Sequence, residues 1–197
     1  MWFLTQEGVD RYDGKYIKHY NFSDDSIKLD SRIALNWLYM DSGNILWVIG
    51  QKGRIFRYDS QHDKFKLAYI HPELIRNKPQ AFLNYGYLDK NDRIWLCYKD
   101  SITWYDIRTG TTLHMPTPVN GEITAIEQTD SNHFFIGTGN GLFHAGIEKG
   151  KLNIMPDKMV EGIGTSVHEL YYHAVSKQLF VGNYKEGILI YDMGGTG

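Results

Sequence analysis

An all-β fold built from four-stranded antiparallel units that recur about every 45 residues is predicted by three features of this 197-residue chain. First, one phrase returns five times: an aromatic closing a short apolar run, then a small residue about six positions on, then in most copies Tyr-Asp. It reads Trp2…Gly8…Tyr12-Asp13, Trp47…Gly53…Tyr58-Asp59, Trp95…Ser101…Tyr105-Asp106, Phe135…Gly141 and Phe180…Gly187…Tyr191-Asp192. Second, these anchors lie 45, 48, 40 and 45 residues apart, which is the length of a propeller blade and longer than most helical repeats. Third, the apolar runs are short and separated by turns rich in Asp, Asn and Gly, as hairpins require.

The first unit, residues 1–33, enters at its anchor strand, Met1 to Thr5, with no inner strand before it. The second, 34–80, opens with an extended Ala34 to Met40, turns at Asp41-Ser42-Gly43-Asn44 and runs through Ile45-Leu46-Trp47-Val48-Ile49. That run is apolar at every position, so both of its faces should be covered by neighbouring sheets. Strands from Ile55 to Tyr58 and from Phe65 to Tyr69 complete the unit. From His71 to Pro79 the connection exceeds a tight turn, and Pro72 followed by Glu73 permits one helical turn. The third unit, 81–121, repeats the plan from Phe82 to His114, and the fourth, 122–165, from Ile123 to Ile154. The fifth, 166–197, stops after Ile188 to Tyr191 and lacks an outer strand, because Gly194-Gly195-Thr196-Gly197 has too few side chains to pack one. The count is about 18 strands, in three whole units and two partial ones. A closed ring of five would leave unpaired edges where it joins, so the expectation is part of a larger ring.

Composition narrows the function classes. With 21 basic and 23 acidic side chains and no long run of either sign, the chain lacks the charge footprint of nucleic-acid binding or of an anionic membrane surface. No apolar stretch reaches the roughly 18 residues of a membrane helix, and Met1-Trp2 opens on strand-like sequence without a basic leader. The single cysteine, Cys97, reads as a small buried hydrophobe two residues after Trp95.

The phrase from Trp2 through Gly14, Trp-Phe-Leu-Thr-Gln-Glu-Gly-Val-Asp-Arg-Tyr-Asp-Gly, resembles the two-component regulator propeller repeat, whose pattern runs roughly I-W-I-G-T-x-x-G-L-x-R-Y-D. Asp41 to Trp47 is similar to its D-x-x-G-x-I-W portion, and Phe135 to Leu142 to its W-I-G-T-x-x-G-L portion. The resemblance covers essentially the whole chain. It implies the extracytoplasmic, periplasmic sensor region of a hybrid two-component system of Bacteroides-like bacteria responding to complex carbohydrates. Seven-bladed rings, a sandwich domain, a membrane helix and a kinase accompany such repeats. The implied partners are an oligosaccharide, the neighbouring propeller and sandwich domains, and a second copy in a homodimer. Ser101 for Gly, Cys97-Tyr98 for Gly-Thr and Ala145-Gly146 for Tyr-Asp depart from the pattern at individual turns.

No catalytic or cofactor motif stands. His168 and His173 are one residue too far apart for a zinc-protease pair, and in a strand they face opposite sides. Gly137-Thr138-Gly139-Asn140-Gly141 leads into a strand, whereas a phosphate loop leads into a helix. Gly162-Ile163-Gly164-Thr165-Ser166 lacks the lysine of such a loop. Asp41-x-Gly43 is one residue too far from Trp47, with Tyr39 where a serine belongs, for the turn of a sialidase. No cofactor and no metal are expected.

One constellation points to binding. Asn36-Trp37 and Asn84-Tyr85 occupy equivalent places on the innermost strands, where a propeller lines its channel, and Glu169 stands at the corresponding place in the fifth unit beside His168. An amide bonds sugar hydroxyls and an aromatic ring stacks on a pyranose face. Alternation sets each Asn and its aromatic on opposite faces, which favours ordinary packing between units. The resemblance therefore implies, with no catalytic motif standing against it, a non-catalytic sensory propeller. The alternatives are a propeller enzyme such as a streptogramin-type lyase, or a protein-docking scaffold.

Overall fold

The computed structural model describes residues 1–22, 34–72, 82–155 and 166–194. Within them, 18 strands form five wholly antiparallel sheets in chain order. The first holds β1 (Trp2–Leu4), β2 (Val9–Tyr12) and β3 (Ile17–Tyr20). The second holds β4 (Leu35–Met40), β5 (Leu46–Gly50), β6 (Arg54–Asp59) and β7 (Lys64–Tyr69). β8 (Tyr85–Leu88), β9 (Arg93–Cys97), β10 (Ser101–Asp106) and β11 (Thr112–Pro116) make the third, and β12 (Ile123–Gln128), β13 (His133–Thr138), β14 (Gly141–Glu148) and β15 (Lys151–Ile154) the fourth. The fifth has β16 (Glu169–His173), β17 (Gln178–Asn183) and β18 (Gly187–Asp192). Three sheets are four-stranded and the end sheets are three-stranded, as the repeat pattern predicts. Beyond Pro72, the helical turn expected up to Pro79 lies outside the described residues, as do Gly162 to Thr165 and the Gly195 to Gly197 tail.

The repeated phrase now has a physical reading. Every residue of β5 is buried, because each face of the strand meets a different sheet. Val48 and Phe56 pack with Val9 against the first sheet. On the other face, Trp47, Ile49 and Ile55 meet Ile94, Leu96 and Tyr105 of the third. The same division repeats onward: Trp95, Cys97 and Trp104 meet Phe134 and Ile136, and Phe135 and Leu142 meet Leu179 and Val181. Thus the anchors Trp2, Trp47, Trp95 and Phe135 face the following sheet, and Val48, Leu96, Ile136 and Val181 face the preceding one. Cys97 is fully buried, and burial pushes its thiol pKa up.

Tyr-Asp closes strands by turn chemistry. Asp13, Asp59 and Asp106 each accept two backbone N–H groups of the following turn on one carboxylate oxygen. Adjacent sheets are also tied by polar contacts. Ser42 Oγ donates to Asp92 Oδ2 at 2.6 Å, Lys90 Nζ donates to Gln128 O at 2.7 Å, and Asn91 Nδ2 donates to Ser131 O at 2.7 Å.

Candidate functional site

The first strand of each later sheet, β4, β8, β12 and β16, carries the residues picked out in the sequence. Trp37, Tyr85, Ala125 and Glu169 occupy one register position, paired with Ile49, Cys97, Gly137 and Gly182 respectively. Asn36, Asn84, Thr124 and His168 therefore occupy the position before it. A bulge falls between Leu35 and Trp37, and another between Ile123 and Ala125, leaving Asn36 and Thr124 as the extra residues. Asn84 and His168 stand just outside their strands, their N–H groups donating to Cys97 O and Gly182 O at 2.9 Å.

The bulge modifies the strict alternation read from sequence, because an unpaired residue is not bound to one face of the sheet. Asn36 is exposed, whereas Trp37 turns inward and lies against β8. A Cβ on Gly86 would stand 2.9 Å from Trp37 Cε3 and 2.9 Å from Ile49 Cδ1, so only glycine admits the indole. Tyr39 Oη donates to Gly86 O at 2.7 Å, fixing the same approach.

Trp37 meets Tyr85 edge-on, with ring centroids 5.9 Å apart. Tyr85 is half-buried, and its phenol is pushed up to about 12, first by burial and then by the negative charge of Glu169. Glu169 is exposed at the start of β16, and its charge reaches Tyr39 as well. The structure thus brings Trp37, Tyr85 and Glu169 into one neighbourhood. Asn84 is half-buried, and its Nδ2 is buried without a hydrogen-bond partner among the described residues. A buried amide N–H left unpaired is costly, and an incoming hydroxyl or carbonyl oxygen would relieve it.

Three further residues belong to this neighbourhood and were not picked from sequence. Tyr87 Oη accepts Gln128 N–H at 3.2 Å, and Glu127 Oε1 accepts Tyr172 N–H at 3.3 Å. Burial raises the Glu127 pKa, partly offset by that amide and by Lys90. Thr124 donates its hydroxyl to Val167 O. The repeat register could have found them, since Tyr87 and Glu127 both pair with anchors, Trp95 and Phe135. The inner strands thus present neutral donors and acceptors, aromatic edges and an exposed carboxylate.

Among the described residues, no group of three or more His, Cys, Asp or Glu side chains is placed to hold a metal ion. His168 Nε2 is hydrogen-bonded with Ser166 Oγ at 2.9 Å, and its ring contacts Tyr184 at 4.0 Å. No helix among the described residues is long and apolar enough to cross a membrane.

No protein-family model matches the chain, and no curated protein matches it in sequence. Solved structures do. The extracellular domain of BT4673 from B. thetaiotaomicron, assigned as a hybrid two component system, superposes with a TM-score of 0.70 at 15% identity, covering 100% of this chain and 26% of that one. The extracellular domain of BT3049 from the same organism, assigned likewise, gives 0.61 at 17% identity over 98% of this chain and 32% of that one. PorZ, a surface component of the type-IX secretion system of Porphyromonas gingivalis, gives 0.63 at 16% over 94% and 30%. The chain thus spans between a quarter and a third of these proteins, and the likeness establishes the fold they share. The repeated sheet architecture expected from the phrase is thus the fold that these extracellular domains share with the chain.

Proposed function

We propose that this chain is a non-catalytic sensory segment of a larger periplasmic propeller, which binds an oligosaccharide on its inner strands or transmits that binding to neighbouring domains. The single observation that carries the sensory reading is the superposition on extracellular domains of hybrid two component systems. The binding surface is Asn36, Trp37, Asn84, Tyr85 and Glu169, with the unpaired Asn84 Nδ2 as its strongest polar feature. Asn36 is free to reach a ligand because the bulge presents it to solvent. Such a segment would work within a longer chain carrying the remaining blades and a signalling domain, and could pair with a second copy.

Calorimetric titration of the intact protein with a panel of neutral oligosaccharides tests this. Binding that falls by about tenfold in Asn84→Ala, the scale of one lost hydrogen bond in a desolvated site, supports the inner-strand reading. Binding unchanged in both Asn36→Ala and Asn84→Ala removes it. A docking scaffold is the second reading, favoured by the fold shared with the secretion component PorZ; sugar-independent capture of a defined protein partner would support it.

A further inference from the structure

The interface between the first and second sheets contains a partly exposed polar lock. Asp63, in the β6–β7 turn, accepts Arg11 Nη1 at 3.0 Å, Tyr20 Oη at 2.6 Å and Tyr58 Oη at 2.5 Å, and pairs with Lys18. The Arg11 guanidinium lies over the Trp2 ring, 5.4 Å from its centroid. Lys18 chiefly, with both tyrosines, holds the Asp63 carboxyl well below the usual carboxylate range. Four donors from two sheets thus converge on one carboxylate.

The next interface repeats those donors. Arg57 pairs with anchor Trp47 as Arg11 pairs with Trp2, and lies 5.9 Å over its ring. Lys66 pairs with Arg57 as Lys18 does with Arg11, and Tyr69 pairs with Ile55 as Tyr20 does with Val9. Tyr105 takes the place of Tyr58, its ring 5.4 Å from Tyr69 where Tyr58 is 5.9 Å from Tyr20. The counterpart of Asp63 is missing, and Lys66 pairs with Asp59 instead. Counting along the turn, Asp63 lies five residues after Tyr58, and five after Tyr105 is Gly110. The two share a left-handed backbone, with φ of 48° and 71°. The nearest atom to a Cβ built on Gly110 is Tyr105 Oη, at 3.9 Å.

Open space adjoins three of these donors, Arg57, Lys66 and Tyr105. A groove of about 590 Å³, inside the range of roughly 300–1,000 Å³ of small-molecule sites, is lined by Arg57, Lys66, Trp47 and Tyr105. Tyr69 Oη is buried with no hydrogen-bond partner among the described residues, and exposed Arg57 has no carboxylate partner among them. Asp59 also lines the groove, but its carboxylate is engaged by Lys66, His62 and two backbone N–H groups. The third interface has Trp104 and Ala145 where Arg57 and Tyr105 stand, so the donor set is not a general feature of the repeat.

We propose that this groove binds a small carboxylate-bearing molecule, whose carboxylate occupies the place that Asp63 fills in the neighbouring interface. Arg57 and Tyr105 Oη supply the charge-assisted hydrogen bonds, Tyr69 Oη gains an acceptor, and the groove outside them takes the body of the ligand. The site shares no residue with the inner strands, so its fate and that of the sugar-binding reading are separate.

The test uses acetate and D-glucuronate as probes, with D-glucose as the neutral counterpart, titrated into the intact protein by calorimetry and by amide NMR. Both carboxylates should bind, and Arg57→Ala should weaken them by about tenfold or more, the loss of one charge-assisted hydrogen bond. Gly110→Asp should abolish that binding and raise Tm, whereas Gly110→Asn, which tolerates the same backbone without the charge, should do neither to the same degree. Conversely, Asp63→Gly should lower Tm, and added acetate should restore part of the loss. Carboxylates that bind no better than glucose, binding indifferent to Arg57→Ala in a folded protein, or a Gly110→Asp variant that melts below Gly110→Asn would each overturn the proposal.

Discussion

Trp95 Nε1 donates to Asp89 Oδ2 at 2.8 Å, and Trp47 Nε1 donates to Asp41 Oδ2 at 2.7 Å, so in the second and third sheets the anchor indole is clasped by the turn that precedes it. The other oxygen of each aspartate accepts two turn N–H groups, those of Gly43 and Ile45 or of Asn91 and Arg93. One carboxylate therefore shapes the hairpin and satisfies an indole that would otherwise be buried unpaired. In the fourth sheet Phe135 has no N–H to offer, and Asp130 takes His133 Nδ1 instead, at 2.8 Å.

Asp89→Ala should lower stability by about 3 kcal/mol, because it strands the Trp95 N–H and the Arg93 guanidinium in a buried setting. Asp41→Ala should cost about half as much, since that clasp is only partly buried. Urea denaturation midpoints of the two variants, compared at constant m, measure the difference.

Gly86→Ala should destabilise by about 1–3 kcal/mol, the usual cost of overpacking, because the new methyl meets Trp37 and Ile49 at 2.9 Å. If the contact is the cause, Gly86→Ala combined with Ile49→Val should recover part of the loss. A double-mutant cycle in urea reads the coupling.

The fold was legible because its signal is repeated: five anchors in register outweigh any departing turn, and the apolar run at Leu46–Gly50 can only be a strand covered on both faces. The inner-strand neighbourhood was legible in part. Trp37, Tyr85 and Glu169 do share a register position, but the bulge at Asn36 breaks the period of two on which the assignment of faces rested. Glu127 and Thr124 are marked by no motif of their own, and only their place in the repeat register, Glu127 opposite the anchor Phe135, singles them out. That Gly110 stands where Asp63 does can be counted along the sequence, but that Arg57, Lys66 and Tyr69 of the preceding sheet match Arg11, Lys18 and Tyr20 needs the paired register.

Two carboxylates should give opposite pH dependence. Asp63 has a depressed folded pKa, so its contribution is complete above the unfolded value near 4 and is lost as pH falls below it. Asp63→Asn should be less stable than the parent at neutral pH and should lose less stability on acidification. Glu127 has a raised folded pKa from burial, so the folded state keeps its proton longer and stability falls as pH rises past about 4. Glu127→Gln keeps an acceptor for Tyr172 N–H and should be more stable than the parent at pH 7 but not at about pH 3. Urea midpoints at acid and neutral pH separate the two signs.

Phe135 and Phe180 are the same anchor in successive sheets, yet they differ in what covers them. Phe135 is 2% exposed between the fourth and fifth sheets, whereas Phe180 is only half-buried, beside Tyr171 and the exposed Ile188 and Ile190. Phe135→Ala should therefore cost about 3–5 kcal/mol, as for a fully packed core phenylalanine, and Phe180→Ala no more than about half of that in this 197-residue chain. The open face of the first sheet, with Phe3 44% exposed, is the complementary half: Phe3 follows its anchor as buried Val48, Leu96, Ile136 and Val181 follow theirs. Further blades of the same repeat laid on these faces would bury Phe180 and Phe3. Repeating both measurements in a longer protein with those blades should bring the cost of Phe180→Ala up to that of Phe135→Ala. Equal costs in the short chain would show that Phe180 is already fully packed.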